Sequence, residues 1–213
     1  MSPFPDMARA RIHSAFRRGA RGCAALVIAF GRARRGVAAI EFALTLPILM
    51  AILCGCVVGS QALEAVQKVS TICSDIADLT AQLQTATPSA LSDEFSAADV
   101  MISPLPQGNL TIRISSVVPV MANGQVTGAV TSWCQTSSAA APCPAKGSPV
   151  TRFQNGATFP TGMLTGPSSS VVVSEVGYTY APPIATTLTS GVDIYRVSFL
   201  VPRSSTEVSC PSC

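Results

Sequence analysis

The sequence predicts an α+β protein in which a single N-terminal transmembrane helix continues into an amphipathic stem helix that packs on a small antiparallel β-sheet. Three patterns support this fold class: an uninterrupted apolar run, an apolar stripe of helical spacing directly after it, and four later segments rich in β-branched residues. The chain therefore divides into a basic leader (1–36), a membrane span (37–59), a stem (60–87) and an α+β domain (88–213).

The apolar run at residues 37–59 is long enough to cross a bilayer. Among its 23 residues only Glu41 and Thr45 have polar side chains. At about 1.5 Å per residue, a helix of this length covers about 34 Å, whereas the hydrocarbon core of a membrane is about 30 Å thick. A domain this small could hardly bury such a helix on all sides, so a membrane span is favoured over a soluble core helix.

Charged residues are distributed unevenly along the chain. Eight of the 14 basic residues precede residue 37 and face the single acid Asp6, whereas six basic and ten acidic residues follow. Because basic residues mark the cytoplasmic side of a span, we expect the N-terminus in the cytoplasm and residues 60–213 on the other side of the membrane. The lipid bilayer is thus an expected partner, and the acidic remainder argues against nucleic acid.

A glutamate inside an apolar span requires an explanation, since a charge at the centre of a membrane helix costs about 2.5–3.5 kcal/mol. Glu41 lies near the start of the span and follows Arg34, Arg35 and Gly36. This pattern resembles a type IV prepilin processing site, where a peptidase cuts after the glycine and a glutamate is fifth in the mature chain. Cleavage between Gly36 and Val37 would expose an ammonium group, which the Glu41 carboxylate would compensate.

A longer stretch is similar to the TadE-like family of tight-adherence (Flp) pilus assembly, which comprises small membrane-anchored pseudopilin-like proteins. Its members open with Gly-Ala-Ala-Ala-Val-Glu-Phe-Ala and carry Leu-Pro in the span; here residues 36–43 read GVAAIEFA and residues 46–47 read LP. The resemblance covers residues 34 to about 84 and returns at residues 171–183, VVVSEVGYTYAPP. Thr45 and the cysteines at 54 and 56 depart from the family pattern.

The resemblance implies a function in tight-adherence pilus biogenesis or a related secretion system. The protein would be a single-pass protein of the bacterial inner membrane with a periplasmic C-terminal domain, in association with the pilus. Its partners would be a prepilin peptidase, other pilus or secretion subunits and inner-membrane platform proteins. The sequence itself contains no G-x-S-x-G motif, P-loop or histidine cluster. We therefore expect no enzymatic activity, no cofactor and no metal site.

Two other interpretations remain open from the sequence. One is an exported periplasmic protein or lipoprotein, because residues 60–62 offer small side chains to signal peptidase and residues 53–56 nearly fit a lipobox. Its leader would be overlong, and its apolar core would be about twice the usual 7–15 residues. The other is an uncleaved inner-membrane scaffold or sensor.

The stem carries an apolar stripe whose members recur at alternating steps of four and three: Ala62, Val66, Val69, Cys73, Ile76, Thr80 and Leu83. We expect this face to pack on the chain's own domain or, alternatively, on a neighbouring subunit. The stem should end at Thr87-Pro88, and Ser92 is the expected N-cap of a short second helix.

Four strands are expected in the outer domain. Residues 110–118 and 125–135 flank Asn123-Gly124, a dipeptide that favours a tight hairpin turn, and two further strands are expected at residues 171–180 and 191–201. Residues 137–167 are rich in Ala, Pro, Gly and Ser and should form a long irregular loop. The alternating residues of the last strand should line one buried face: Tyr195, Val197, Phe199 and Val201.

Five cysteines lie beyond the predicted span. In an oxidising periplasm we expect two disulfides, Cys134–Cys143 and Cys210–Cys213. A four-cysteine zinc site and a redox dithiol at the Cys-Pro-Ser-Cys end remain alternatives, although only the second pair has the two-residue spacing of zinc sites. Cys73 is expected to be a buried free thiol.

Overall fold

The computed structural model of the protein describes residues 37–182 and 191–213. The basic leader lies outside the described residues, and so does Gly36, the predicted residue before the cleavage site. Judged by the contacts between residues, the described chain separates into two units after residue 56. The second unit is compact and comprises residues 57–213.

The first helix, α1, comprises Val37–Gln82 and contains the predicted span and most of the predicted stem in one helix. Within the described part of the chain, it is the one helix that is long and apolar enough to cross a membrane. Large apolar side chains of the span are exposed, among them Phe42, Leu44 and Ile48. Pro47 lies inside the helix, a position that membrane helices tolerate. The predicted helix is therefore present, and its length and composition make it a candidate membrane span.

A second helix, α2, comprises Pro88–Met101 and begins earlier than the sequence analysis placed it. Its N-cap is Thr87, whose hydroxyl accepts a hydrogen bond from the Ala90 backbone N–H at 3.2 Å. Pro88 then occupies the first helical position, where its missing N–H costs nothing. The prediction that Ser92 caps this helix is wrong, because Thr87-Pro88 both follows the end of α1 and starts α2.

Four antiparallel strands form one sheet in the order β2-β1-β3-β4. The strands are β1 (Leu110–Ala122), β2 (Gln125–Thr136), β3 (Val171–Tyr180) and β4 (Val192–Leu200). Asn123 and Gly124 connect β1 to β2 with φ of 53° and 76°, the left-handed geometry of a type I′ hairpin turn. The predicted α+β fold with an antiparallel sheet is confirmed.

One face of the sheet packs against the two helices. Buried residues of α1 on this side include Val69, Ile72 and Ile76, and α2 adds Leu91 and Phe95. Of the predicted stem stripe, Ala62, Val66 and Leu83 are half-buried and the other four members are fully buried. The stripe therefore packs on the chain's own sheet, the first of the two expected arrangements.

The opposite face of the sheet is covered by the segment between β2 and β3. Phe153 and Phe159 of this segment contact Phe199 of β4 edge-on, with ring centroids 5.2 Å and 5.8 Å apart. Apart from the short 3₁₀ helix Thr161–Met163, the segment is largely irregular, as expected, but it forms the second layer of a core.

The predicted buried face of the last strand is correct for three of its four members. Tyr195, Val197 and Phe199 are half-buried under the covering segment, whereas Val201 is 45% exposed. The prediction for Val201 is wrong because β4 ends at Leu200, and the chain leaves the sheet at Pro202.

Candidate functional site

Two residues of the predicted processing site lie on α1, and its Gly36 lies outside the described residues. Val37 and Glu41 are four positions apart in the helix. Residues four apart in an α-helix lie on the same face, about 6 Å apart along the axis. If the bond before Val37 is cut, the new amine and the Glu41 carboxylate therefore belong to one helical turn. Glu41 is exposed, and no ion pair within the described residues involves it.

The structure brings together both predicted cysteine pairs. The Cα atoms of Cys134 and Cys143 lie 5.7 Å apart, those of Cys210 and Cys213 lie 5.5 Å apart, and each pair forms a disulfide. Sulfur atoms bonded in this way are not the thiolates that zinc requires, so this arrangement does not support the four-cysteine zinc alternative. No metal-binding group of three or more His, Cys, Asp or Glu occurs among the residues that the structure describes.

Cys73 lies on the buried face of α1 as a free thiol, as the sequence predicted. Its thiol donates a hydrogen bond to the Ser174 carbonyl of β3 at 3.3 Å. Burial, with a smaller contribution from the negative charge of Glu175, raises the pKa of this thiol to about 11. A thiol with so high a pKa is a poor nucleophile, so Cys73 is part of the helix–sheet packing rather than a reactive group.

Sequence reasoning missed a cluster of polar side chains on the face of the sheet that the covering segment closes. Arg113 of β1 donates two hydrogen bonds to the Glu175 carboxylate, from Nε at 2.8 Å and from Nη2 at 2.5 Å. The Tyr195 hydroxyl donates a further hydrogen bond to Glu175. Burial, and secondly the Glu175 carboxylate, raise the pKa of Tyr195. Both oxygens of Glu175 thus accept hydrogen bonds from side chains of the neighbouring strands.

Arg113 also connects the sheet to the loop that the first disulfide closes. Its Nη1 donates to the Pro142 carbonyl at 3.0 Å, next to Cys143. Although burial acts in the opposite direction, the Glu175 carboxylate raises the pKa of Arg113 above its ordinary value. The cluster borders a cavity of only about 80 Å³. Its geometry indicates that Arg113 links the disulfide loop to the sheet. No sequence motif connects residues 113 and 175.

The sequence also did not predict that the segment after β4 packs beside β2 and the end of α1. The Trp133 indole N–H donates to the Val208 carbonyl at 2.7 Å, and the Ala86 N–H donates to the Ser209 carbonyl at 2.8 Å. Arg203 forms an ion pair with Asp78 of α1 at 2.6 Å. The second disulfide lies near β2, and Cys134, Cys210 and Cys213 line a cavity of about 300 Å³ there.

These features define an α+β protein with one N-terminal helix that is long and apolar enough to cross a membrane. A family model described as TadE-like protein matches residues 36–78, from the predicted cleavage site through most of the stem. The TadE-like resemblance inferred from the sequence is confirmed over that segment. No curated protein and no solved structure matches the chain.

Proposed function

We propose that this chain is a TadE-like pseudopilin that acts in tight-adherence (Flp) pilus biogenesis or a related secretion system. The observation that carries the proposal is that the family match starts at the predicted cleavage site. The family match begins at Gly36, the residue before the predicted cut, and Glu41 lies on α1 four positions after Val37. A cut at the Gly36–Val37 bond by a prepilin peptidase would separate the basic leader from the apolar segment that follows it.

The electrostatics of the helix start supports a role for Glu41 after such a cut. The N-terminus of a helix carries about half a positive charge from its aligned peptide dipoles, so a new ammonium group at Val37 would add to a charge of the same sign. Water could not fully screen this repulsion at the membrane face. A carboxylate one turn away, or Glu41 of a neighbouring subunit, would offset it and favour ordered docking of subunits.

The distribution of charge and cysteines supports the proposed orientation. The eight arginines of the leader favour the cytoplasmic side of the inner membrane, whereas the two disulfides after the span suit the oxidising periplasm. In this proposal the partners are the prepilin peptidase, other pilus or secretion subunits and inner-membrane platform proteins. The chain itself catalyses no reaction.

Mass spectrometry of the chain produced together with its own prepilin peptidase tests the cleavage. We expect the mature protein to begin at Val37 and to remain in the membrane fraction. An intact leader would contradict the proposal and favour an uncleaved scaffold or sensor. A soluble periplasmic product would instead favour the exported alternative. In a Gly36→Leu variant the bulky side chain should block the cut, because the residue before the bond must fit an extended protease site.

The role of the carboxylate is tested separately by Glu41→Ala. We expect normal cleavage with impaired pilus assembly. Thr45→Ala is the matched control, because Thr45 is polar, is exposed and lies one turn after Glu41, with its hydroxyl bonded to the Phe42 carbonyl. Thr45→Ala should assemble normally. Normal piliation of Glu41→Ala would remove the proposed role of Glu41 while leaving the cleavage proposal intact.

A further inference from the structure

One end of the sheet lies beside the residues of α1 that directly follow the predicted span. The Tyr180 hydroxyl, at the end of β3, donates a hydrogen bond to Gln61 Oε1 at 3.2 Å. Gln61 comes two positions after the predicted end of the span at residue 59, and both residues belong to the compact unit 57–213. At about 1.5 Å per residue, Gln61 is about 3 Å beyond that end along the helix axis. Because helical side chains tilt towards the N-terminus, the Tyr180 hydroxyl lies at the level where the predicted span ends.

The same end of the sheet carries an exposed apolar side chain at the start of β4. Val192 is directly opposite Tyr180 in the strand register. Residues opposite each other share a face of the sheet, with Cβ atoms about 5 Å apart. Val192 is nevertheless 54% exposed, whereas Tyr180 is buried. Gly191 directs the chain into this position with a left-handed φ of 90°, because a Cβ atom there would lie 3.3 Å from the Tyr180 carbonyl oxygen.

A second exposed apolar side chain lies at this level on α1 itself. Leu63 is 66% exposed and comes four positions after the predicted end of the span. It is therefore about 6 Å beyond that end along the helix axis. The headgroup layer on each side of a bilayer is about 5–7 Å thick. Leu63, Gln61 and the end of β3 thus fall within the depth of this layer, where apolar side chains gain free energy by contact with the acyl boundary.

We propose that this end of the domain docks on the lipid surface, with Val192 and Leu63 at the boundary between headgroups and acyl chains. The domain then lies directly on the bilayer rather than in the water above it. This inference rests on the proposed membrane span, and it is independent of the proposed role in pilus biogenesis.

The docking is apolar, because the acids next to both side chains already have partners within the domain. Glu64 follows Leu63 and forms an ion pair with Lys68 at 3.5 Å. Asp193 follows Val192, and its carboxylate accepts a hydrogen bond from the hydroxyl of residue 179 at 2.8 Å. The contact therefore depends on buried apolar area, and anionic lipids should contribute little to it.

The other end of β4 supplies a matched control position. Val201 directly follows the strand and is 45% exposed, so it resembles Val192 in residue type and in exposure. The two residues are nine positions apart, which is about 30 Å in an extended chain. The Arg203 N–H donates to the Ala81 carbonyl at 2.9 Å, near the end of α1 that is distant from the predicted span. Val201 therefore lies beyond the reach of the headgroup layer.

Tryptophan fluorescence in nanodiscs tests the docking. The full-length variants Val192→Trp, Val201→Trp and Leu53→Trp are compared in plain phosphatidylcholine and in phosphatidylcholine brominated near the headgroup end of its acyl chains, and the emission of Trp133 in the unsubstituted chain is subtracted. We expect bromine to lower the emission of residue 192 about twofold and to leave that of residue 201 unchanged.

Leu53→Trp separates failure of the docking from failure of the span, because residue 53 lies inside the predicted span. If residue 53 is quenched and residue 192 behaves like residue 201, the docking is overturned and the span remains. If residue 53 is not quenched, the span itself is wrong and the docking is overturned with it.

Thiol labelling gives a second measurement that needs no bulky side chain. Val192→Cys and Val201→Cys in phosphatidylcholine nanodiscs are treated with a membrane-impermeant maleimide, and labelled peptides are quantified by mass spectrometry. Each rate is divided by the rate in the urea-unfolded chain. We expect residue 192 to react about tenfold more slowly than residue 201, and equal rates would overturn the proposal. Protection that appears only after phosphatidylglycerol is added would show recognition of lipid charge and would overturn the apolar docking.

Discussion

Arg113 and Glu175 form a two-point ion pair across strands β1 and β3, in which Glu175 keeps only 6% of its side-chain surface exposed. The pair is directly opposite in the strand register, and Arg113 carries the contact onward to the Pro142 carbonyl of the disulfide loop. Two bonds of fixed geometry compensate the burial of the carboxylate, so removal of either partner leaves an uncompensated charge.

Arg113→Ala should destabilise the domain by about 3 kcal/mol, because it leaves the Glu175 carboxylate buried and unpaired. Urea unfolding of the full-length chain in detergent, followed by the fluorescence of the single tryptophan, measures the change. Arg152→Ala is the matched control, since Arg152 is exposed, and its effect should stay within about 0.5 kcal/mol. In Arg113→Ala/Glu175→Ala the loss should be smaller than the sum of the single losses; strict additivity would argue against the pair.

Gly177→Ala should destabilise the domain by about 1–3 kcal/mol through overpacking. A Cβ atom at residue 177 would meet the Thr111 hydroxyl oxygen at 2.7 Å, closer than real contacts allow. At Gly128 the nearest neighbour would be Val120 Cβ at 3.9 Å, so Gly128→Ala is a control expected to be nearly neutral. Thr111→Ala removes the obstructing oxygen and should recover part of the loss. Equal unfolding midpoints for the two alanine variants would contradict this packing.

The buried Cys73 thiol should make stability fall at alkaline pH. Its pKa is raised from 9.0 to about 11, so the thiol ionises more readily in the unfolded chain, and its contribution is complete below pH 9 and is lost as pH rises towards 11. Between pH 8 and pH 10 the loss should be about 1 kcal/mol. Buried tyrosines contribute in the same direction, so the measured quantity is the difference between the native chain and Cys73→Ala. Parallel pH profiles of the two would refute the assignment.

Thr87→Ala should cost about 1 kcal/mol, because it removes the hydroxyl that accepts the Ala90 N–H at the start of α2. Ser92→Ala is the control, since the exposed Ser92 lies inside the helix, and only its backbone carbonyl accepts a bond, from Ser96. The two substitutions make the same kind of change five residues apart. Chemical denaturation distinguishes them, and a larger loss for Ser92→Ala would place the cap where the sequence suggested.

Local patterns predicted most of the fold. The apolar run and the stripe predicted α1, and Asn123-Gly124 located the hairpin because Asn and Gly best tolerate the left-handed backbone of its tight turn. The prediction that Ser92 is the N-cap was wrong because Thr87 and Ser92 are both suitable N-cap residues. The packing of Leu91 and Phe95 against the core decides between them. For β4, alternation correctly predicted which residues share a face but not where the strand ends.

The polar cluster and the packing of the segment after β4 could not be predicted from the sequence, because each joins residues that are far apart in the chain. Arg113 and Glu175 are separated by 62 positions, and Trp133 and Val208 by 75. The sequence immediately around each of these residues contains no pattern that points to its partner. The proposed processing site, by contrast, is a local pattern: Gly36, Val37 and Glu41 lie within six consecutive positions, so the sequence alone suggests it.

The hydrogen bonds that Val208 and Ser209 accept affect the order in which parts of the domain can form. A ribosome produces these residues after all four strands and both helices, yet the Trp133 indole and the backbone beyond α1 find their partners only there. Until residues 208 and 209 have been synthesised, the Trp133 indole and the backbone after α1 therefore lack these hydrogen-bond partners. Any structure that the stem and sheet reach before that point is missing the bonds that join β2 and the backbone after α1 to the segment after β4.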